Sequence, residues 1–454
     1  MTAEPVLDRT ALAAAGRDAA AKLTAAGVHG VALTWVDNAG VTRVKAVPAG
    51  QLPGAAAWGV GMSTVHDVFC VDDTITAGRL VGGPVGDLRL HPDLDRLTVL
   101  AAQPGWAWAP VDRWTQDGLP YPADQRLFAR RMAARAADAG TTLRMAFELE
   151  FYLARPDGSP ASDGPAYGMT RLVELSDYGR DLLAALAAQD VAVEQFHPEY
   201  GSGQLELSVG HADPVAAADR IVLARETVRA TALRHGLRAS FAPVSVARQV
   251  GNGMHLHFSV WADGANLLAG GDGPHGLTAR GESALAGVLS RLPALAGLGV
   301  PSPASALRQA PQRWAGAYQC WGRENREAGL RFVTGVEGNR AGAANAEVKC
   351  VDGSANPYLV VGAVCALVAD AVDAGLRLPE EVGVDPYTLA EQQRPPRLPD
   401  TPAAALAALH ADRGLCAALG APLLDAFDAV HRAEAGTLGK LPEDELVEAV
   451  RWRY

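Results

Sequence analysis

Apolar and polar residues alternate with period two in some stretches of this chain and recur every three to four positions in others. The two rhythms predict strands and helices respectively. The alternation is sharpest at residues 146–152, 204–209, 254–260 and 346–350. In extended backbone it puts Glu148 and Glu150 on one face and Phe147, Leu149 and Phe151 on the other. By the same count Glu206 shares a face with Gln204 and Ser208, His255 with His257 and Ser259, and Glu347 with Lys349. Residues 31–36 and 41–47, joined by the turn Asp37-Asn38-Ala39-Gly40, predict a hairpin, and 97–101 a further short strand. Helical spacing covers 8–26, 123–139, 176–189 with Ser176 or Asp177 as N-cap, 214–236, 284–297, 357–374 and most of 402–452. The Gly-rich segment 263–282 reads as an exposed loop, and 301–341 as a long irregular segment with six arginines.

The order of these elements does not alternate strand with helix, so it predicts an α+β fold with an antiparallel sheet and helices outside it. The turn-rich stretch 103–110 marks a boundary, giving a small N-terminal domain at 1–105 and a larger domain at 106–454. There is no internal repeat.

Composition narrows the function. A net charge of −11 argues against nucleic acid or an anionic membrane as the main partner. The five cysteines are dispersed and lack CxxC spacing, which argues against a disulfide framework and for a reducing, cytoplasmic compartment. Residues 1–8 lack a basic region followed by an apolar run, so no secretion signal is read there. The longest apolar run, 358–368, is too short to span a bilayer and predicts a core helix.

The polar strand faces carry the chemistry. One amphipathic strand ordinarily turns its polar face to water. Here three of the four faces bear only acids or imidazoles as charged groups, and two adjoin the glycine-rich turns 201–203 and 251–253. Brought together in one sheet, they form a carboxylate and imidazole floor that needs cations. Oxygen ligands with a lone imidazole suit Mg²⁺ or Mn²⁺ better than zinc.

Six ordered motifs sharpen this. They are Phe147-Glu148-Leu149-Glu150-Phe151, the run from His197 through Glu199 to Gln204-Leu205-Glu206, Gly251-Asn252-Gly253-Met254-His255-Leu256-His257, Trp321-Gly322-Arg323-Glu324-Asn325-Arg326, Glu347-Val348-Lys349 and Ala355-Asn356-Pro357-Tyr358. With them the chain resembles the glutamine synthetase family over nearly its whole length. The resemblance implies a small N-terminal β-grasp domain and a catalytic domain with a curved antiparallel sheet flanked by helices. It also implies a homo-oligomer of hexameric rings, with ATP as co-substrate and two divalent cations per site. By position, Glu150, Glu199 and Glu206 would hold one Mg²⁺ or Mn²⁺, and Glu148, His255 and Glu347 the other. Arg308 and Gly251 match positions that hold glutamate. Arg326 and Arg331 match positions facing the nucleotide phosphates, and His257 and Ser259 lie where the nucleotide packs, unless they only hydrogen-bond within the sheet. Glu199, Arg308, Arg326 and Lys349 are the implied catalytic groups. The family reaction makes a γ-glutamyl phosphate with ATP and then lets a nitrogen nucleophile displace phosphate.

Departures from the family pattern bear on that nucleophile. Where glutamine synthetases carry a loop glutamate that takes a proton from ammonium, this chain has Trp314, which accepts no proton. The family aspartate that reaches a neighbouring subunit's ammonium site is missing from Val60-Gly61-Met62-Ser63. An arginine is replaced by Lys349, which keeps the charge but loses the fork. No counterpart of the adenylylated tyrosine is found. The resemblance therefore implies a γ-glutamyl-amine ligase acting on a polyamine, ethanolamine, an alkylamine or an arylamine, with Trp314 shaping the amine pocket. The alternatives are a glutamine synthetase using ammonia, and a non-catalytic nucleotide-binding or structural ring protein.

Overall fold

A computed structural model describes residues 7–454; residues 1–6, part of the stretch read for a leader, lie outside it. Two sheets organise the chain. The smaller has strand order 42–48, 30–36, 106–115, 87–92, 60–63, with Thr98–Val99 paired to the central strand. Its Trp106–Thr115 strand runs parallel to Gly30–Val36, so this sheet continues past the turn-rich stretch near residue 105. The larger sheet has the order 318–323, 328–333, 345–348, 254–262, 142–154, 204–209, 193–198 and curls into a half-barrel flanked by helices. All the strands holding acids or imidazoles are neighbours in it and pair antiparallel.

The hydrophobic reading of these strands holds residue by residue. In Thr142–Ala154, Leu143, Met145, Phe147, Leu149 and Phe151 are buried, while Glu148 and Glu150 are only partly so. Pro214–Arg234 and Gln125–Asp138 pack on this strand and, with Ala279–Ser290, almost wholly bury the apolar helix Pro357–Ala371. Pro357 opens it at the first helical position, where its missing N–H costs nothing. Asn356 caps it, accepting from the Tyr358 N–H at 3.0 Å, and donates back to the carbonyls of Val36 and Asp37 at 2.9 and 3.1 Å. One side chain thus starts the core helix and ties it to the small sheet.

Several expectations change. Ser176 and Asp177 are not the N-cap: Leu175 occupies that position with no side-chain cap, because a short helix, Met169–Glu174, runs directly into Ser176–Ala188. The predicted helix 284–297 is two helices, Ala279–Ser290 and Leu292–Gly299. Segment 301–341 is not wholly irregular: it holds the parallel strands Tyr318–Arg323 and Ala328–Val333. Among the described residues, no helix is long and apolar enough to cross a membrane.

Arg113 locks the small sheet to the first helix of the larger unit. Fully buried, it pairs with Asp67 and with Asp124 (2.8 Å), and donates to Ala123 O (2.8 Å) and Gln125 Oε1 (2.7 Å). R113A leaves two buried carboxylates unpaired and is expected to cost about 3–5 kcal/mol in urea unfolding. A loss below ~1 kcal/mol would show that the network contributes no stability.

Candidate active site

Register places the polar side chains in one row. Glu347 lies opposite both Arg331 and His257, His255 opposite Glu148, and Glu150 opposite Glu206, which in turn faces His197. Directly opposed residues in antiparallel strands share a face, so the row follows from pairing alone. Glu199 comes from the turn after Val193–Pro198. That turn is gripped by Arg171 of the short helix, which donates to the carbonyls of Glu199 (2.6 Å), Gly201 and Gln204 (3.0 Å). Gly203, at φ 72°, passes so close that a Cβ would lie 2.8 Å from Leu153 O.

The row is electrically uneven. At one end Glu347 is fully buried but faces Lys349 Nζ (2.9 Å), Arg331 Nη1 (3.0 Å) and His255 Nδ1 (3.0 Å). Burial opposes its charge, and these cations hold it well below the usual carboxylate range. Burial likewise opposes the charge on Glu148, and hydrogen bonds from His255 and His257 overcome it. Arg308 Nη2 lies 2.8 Å from His255 Nε2. Lys349 Nζ lies 3.4 Å from the Nδ1 of the same imidazole, so positive groups approach both of its ring nitrogens.

At the other end His197 is the one ion-pair partner of Glu199 and Glu206 among the described residues, and Glu150 has none. Burial and the charges of Glu150 and Glu206 push Glu199 up to about 7. Glu206 is raised by burial despite its bond to His197, and that bond pushes His197 up to about 9. Each carboxylate has one oxygen tied. Glu150 Oε2 accepts from Gln204 Nε2 (3.0 Å) and the Gly253 N–H (2.9 Å), Glu199 Oε2 from the Tyr167 hydroxyl (2.9 Å) and the Tyr200 N–H (3.0 Å), and Glu206 Oε1 from His197 Nε2 (3.1 Å). The second oxygen of each has no hydrogen-bond partner among the described residues. Three oriented oxygens without hydrogen-bond partners, one of them (Glu199 Oε1) 3.6 Å from His197 Nδ1, fit a hard divalent cation.

Three groups bring their ligand atoms within 4.8 Å of one another: Glu148, Glu150 and His255; Glu148, His257 and Glu347; and His197, Glu199 and Glu206. The six residues predicted as ligands all fall in these groups, but neither expected trio (Glu150, Glu199 and Glu206; Glu148, His255 and Glu347) is itself one of the three. His197 and His257 join them; for His197 the signal was its period-two spacing to Glu199.

Above the row lies a cavity of about 380 Å³. Glu148, Glu150, Glu199, Glu206, His255, Gly251, Arg308, Trp314, Arg326 and Lys349 line it. Arg308 is buried, and its Nη1 has no partner among the described residues, as an anion-binding group would leave it. Trp314 stands 54% exposed, with the Arg326 guanidinium 5.9 Å from its ring. Glu347, Arg331, His257 and Ser259 do not line the cavity. Ser259 Oγ accepts from Trp261 Nε1 (2.8 Å), and His257 Nδ1 contacts Asn345 Oδ1 (2.9 Å), both within the sheet. Sequence reasoning missed Tyr167 and Arg171, whose segment carries no strand or helix rhythm.

Residues 122–449 match the glutamine synthetase catalytic domain. The gamma-glutamylpolyamine synthetase GlnA3 of Streptomyces coelicolor is 55% identical over 443 residues, covering 95% of either chain. A solved structure described as a novel glutamine synthase homolog superposes with a TM-score of 0.85 at 33% identity, covering 94% of this chain and 99% of its own. GmaS in complex with ADP gives 0.82 at 28% identity, covering 94% and 97%.

If the carboxylates of the acidic end receive a cation, Mn²⁺ added to chelator-treated protein stabilises it by ~2.7 kcal/mol at a hundredfold excess over Kd, read as a rise in Tm. E206A is expected to lose most of that rise. An equal rise in wild type and E206A would place manganese elsewhere.

Proposed function

The chain belongs to the glutamine synthetase family, and from that premise we propose that its amine substrate is a polyamine. The enzyme is a carbon–nitrogen ligase that forms a γ-glutamyl amide from glutamate and an organic amine with ATP. Identity of 55% to a gamma-glutamylpolyamine synthetase, sustained over 95% of both chains, carries the choice of amine. The cavity supports it. Its floor is acidic, and Trp314, Tyr167 and Tyr200 offer aromatic faces to a second ammonium group.

A carboxylate is a poor electrophile, so the γ-carboxylate oxygen of glutamate first attacks the γ-phosphorus of ATP and ADP leaves. The amine lone pair then attacks the acyl carbon, the C–O bond to phosphate breaks, and the surplus amine proton passes to a carboxylate. Glu199, at the acidic end, draws in the ammonium form and receives that proton. Arg308, backed by His255, grips the α-carboxylate of glutamate with its unpartnered Nη1, and the Gly251 backbone lies beside it. Arg326 and Lys349 offset the charge that grows on the transferring phosphoryl group, with Arg331 behind them. His257 and Ser259 close the nucleotide side. Glu150, Glu199 and Glu206 would hold one Mg²⁺ or Mn²⁺, and Glu148, His255 and Glu347 a second. When bound, these cations neutralise phosphate charge and align the phosphoryl group. The working form in this reading is a homo-oligomer of hexameric rings.

Phosphate release measured across ammonium, ethanolamine, alkylamines, arylamines and linear polyamines tests the reading. The best polyamine is expected to exceed ammonia in kcat/KM by about a hundredfold, and W314A to lose much of that margin. Turnover of ammonia equal to that of every amine would overturn it. A Cβ on Gly253 would lie 2.5 Å from His255 Nε2 and 2.7 Å from Arg308 Nη2. G253A is therefore expected to raise the glutamate KM at least ~tenfold by parting that pair. An unchanged KM would remove Arg308 from the acid site.

A further inference from the structure

The loop from Gln309 to Ala317 carries Trp314 in an unfavourable backbone. Gln312 and Trp314 both sit in the left-handed region, at φ 59° and 54°. Side chains bearing a Cβ rarely adopt it, and a bulky indole least readily, so surrounding contacts must hold the shape. Both ends of the loop are tied. Arg397 donates to Gln309 O (3.2 Å) and Ala317 O (3.3 Å), and Gln309 Nε2 donates to Gly316 O (3.2 Å).

The middle is held by Glu327. This carboxylate is only 5% exposed, and its Oε1 accepts the Trp314 N–H at 2.9 Å. The Gln312 N–H favours its charged form as well, against burial. Its Oε2 is buried with no hydrogen-bond partner among the described residues, and no ion pair within 4.0 Å compensates it there. A carboxylate buried this way is costly. Successive backbone N–H groups in a left-handed turn form a concave anion receptor; here the chain supplies the anion itself. Glu327 is in turn fixed, donating its N–H to Asn325 Oδ1 (3.0 Å), while Asn325 Nδ2 donates to Val382 O (2.7 Å) and Val384 O (2.9 Å). Its neighbour Arg326 packs toward the same indole ring. The turn 325–327 therefore holds Trp314 by backbone and by ring together.

We propose that Glu327 is a positioning residue for amine selection: it clamps the Gln312–Trp314 backbone so that the indole stands at the cavity rim. This rests on the reading of Trp314 as the amine wall. Glu327 does not line the cavity and touches no substrate. Its effect passes through Trp314, and so falls on the amine and not on glutamate or ATP.

The test is steady-state kinetics of the full-length protein with a linear diamine, ammonium, glutamate and ATP varied in turn. E327A is expected to raise the diamine KM about tenfold, the size of one charge-assisted hydrogen bond, with kcat and the KM for glutamate and ATP changed less than ~threefold. E327Q, which keeps a carbonyl oxygen for the Trp314 N–H, restores the diamine KM to within ~threefold of wild type. Should E327A not fold, E327D, which withdraws the charge by one methylene, is read against the same criteria. A diamine KM that stays put, or that rises in step with the glutamate KM, overturns the assignment while wild type and W314A still report on Trp314. A wild type that prefers ammonia overturns the amine reading and this inference with it.

Discussion

Burying carboxylates on the face of a sheet is the constraint around which this protein is arranged. Isolated, each would shed its charge or destabilise the fold. The sheet answers the problem differently at its two ends. Around Glu347, Lys349, Arg331 and His255 supply the positive charge from within the chain. Around Glu199 they do not, and the acids there are left competing for protons. One end is therefore settled before any ligand arrives, while the other holds oriented oxygens at an energetic cost that a divalent cation relieves. Coulomb attraction in this buried setting exceeds its value in water, so the acidic end favours cations while Arg308, Arg313, Arg326 and Lys349 of the same lining favour anions.

The cavity wall is also where the chain departs from an ammonia-using pattern. A pocket for ammonium needs only small anionic walls. Trp314 brings instead a large apolar face with a quadrupole, and Tyr167 hangs its hydroxyl on Glu199. Acidic floor and aromatic rim together suit a long cation whose charges are separated by methylenes. Neither feature alone discriminates: carboxylates attract any ammonium, and aromatic rings any apolar body. In the proposed reading the selectivity lies in their spacing, which is set by loops.

What was legible in the sequence, and what was not, follows from the range of the interactions. Period-two alternation is local, so the faces bearing Glu148, Glu150, Glu206, His255 and Glu347 could be read directly. Their meeting in one row depends on strand order, which alternation does not encode; the family motifs supplied that step. The parallel pair Tyr318–Arg323 and Ala328–Val333 escaped because parallel neighbours ordinarily need a connection of a dozen residues or more, and here four residues serve. The cap at Ser176 failed because two helices abut, leaving no free N-terminus to cap. Arg171 and Tyr167 lie in a segment without rhythm, and their value comes only from carbonyls and a carboxylate brought from residues 199–204.

Rigidity in this site is distributed accordingly. The floor sits on paired strands packed against helices, so Glu148, Glu150 and His255 have little freedom. Glu199 and Trp314 come from turns, and each turn is held by a buried charged residue spent on backbone groups: Arg171 on three carbonyls, Glu327 on the Trp314 amide. A buried charge without an ion pair is a poor way to gain stability. Its advantage is directional, since several hydrogen bonds from one planar group define a turn more narrowly than apolar packing does. In the proposed reading the fold thus keeps its acidic floor on the sheet, and places its choice of nucleophile on two loops whose shapes depend on single side chains.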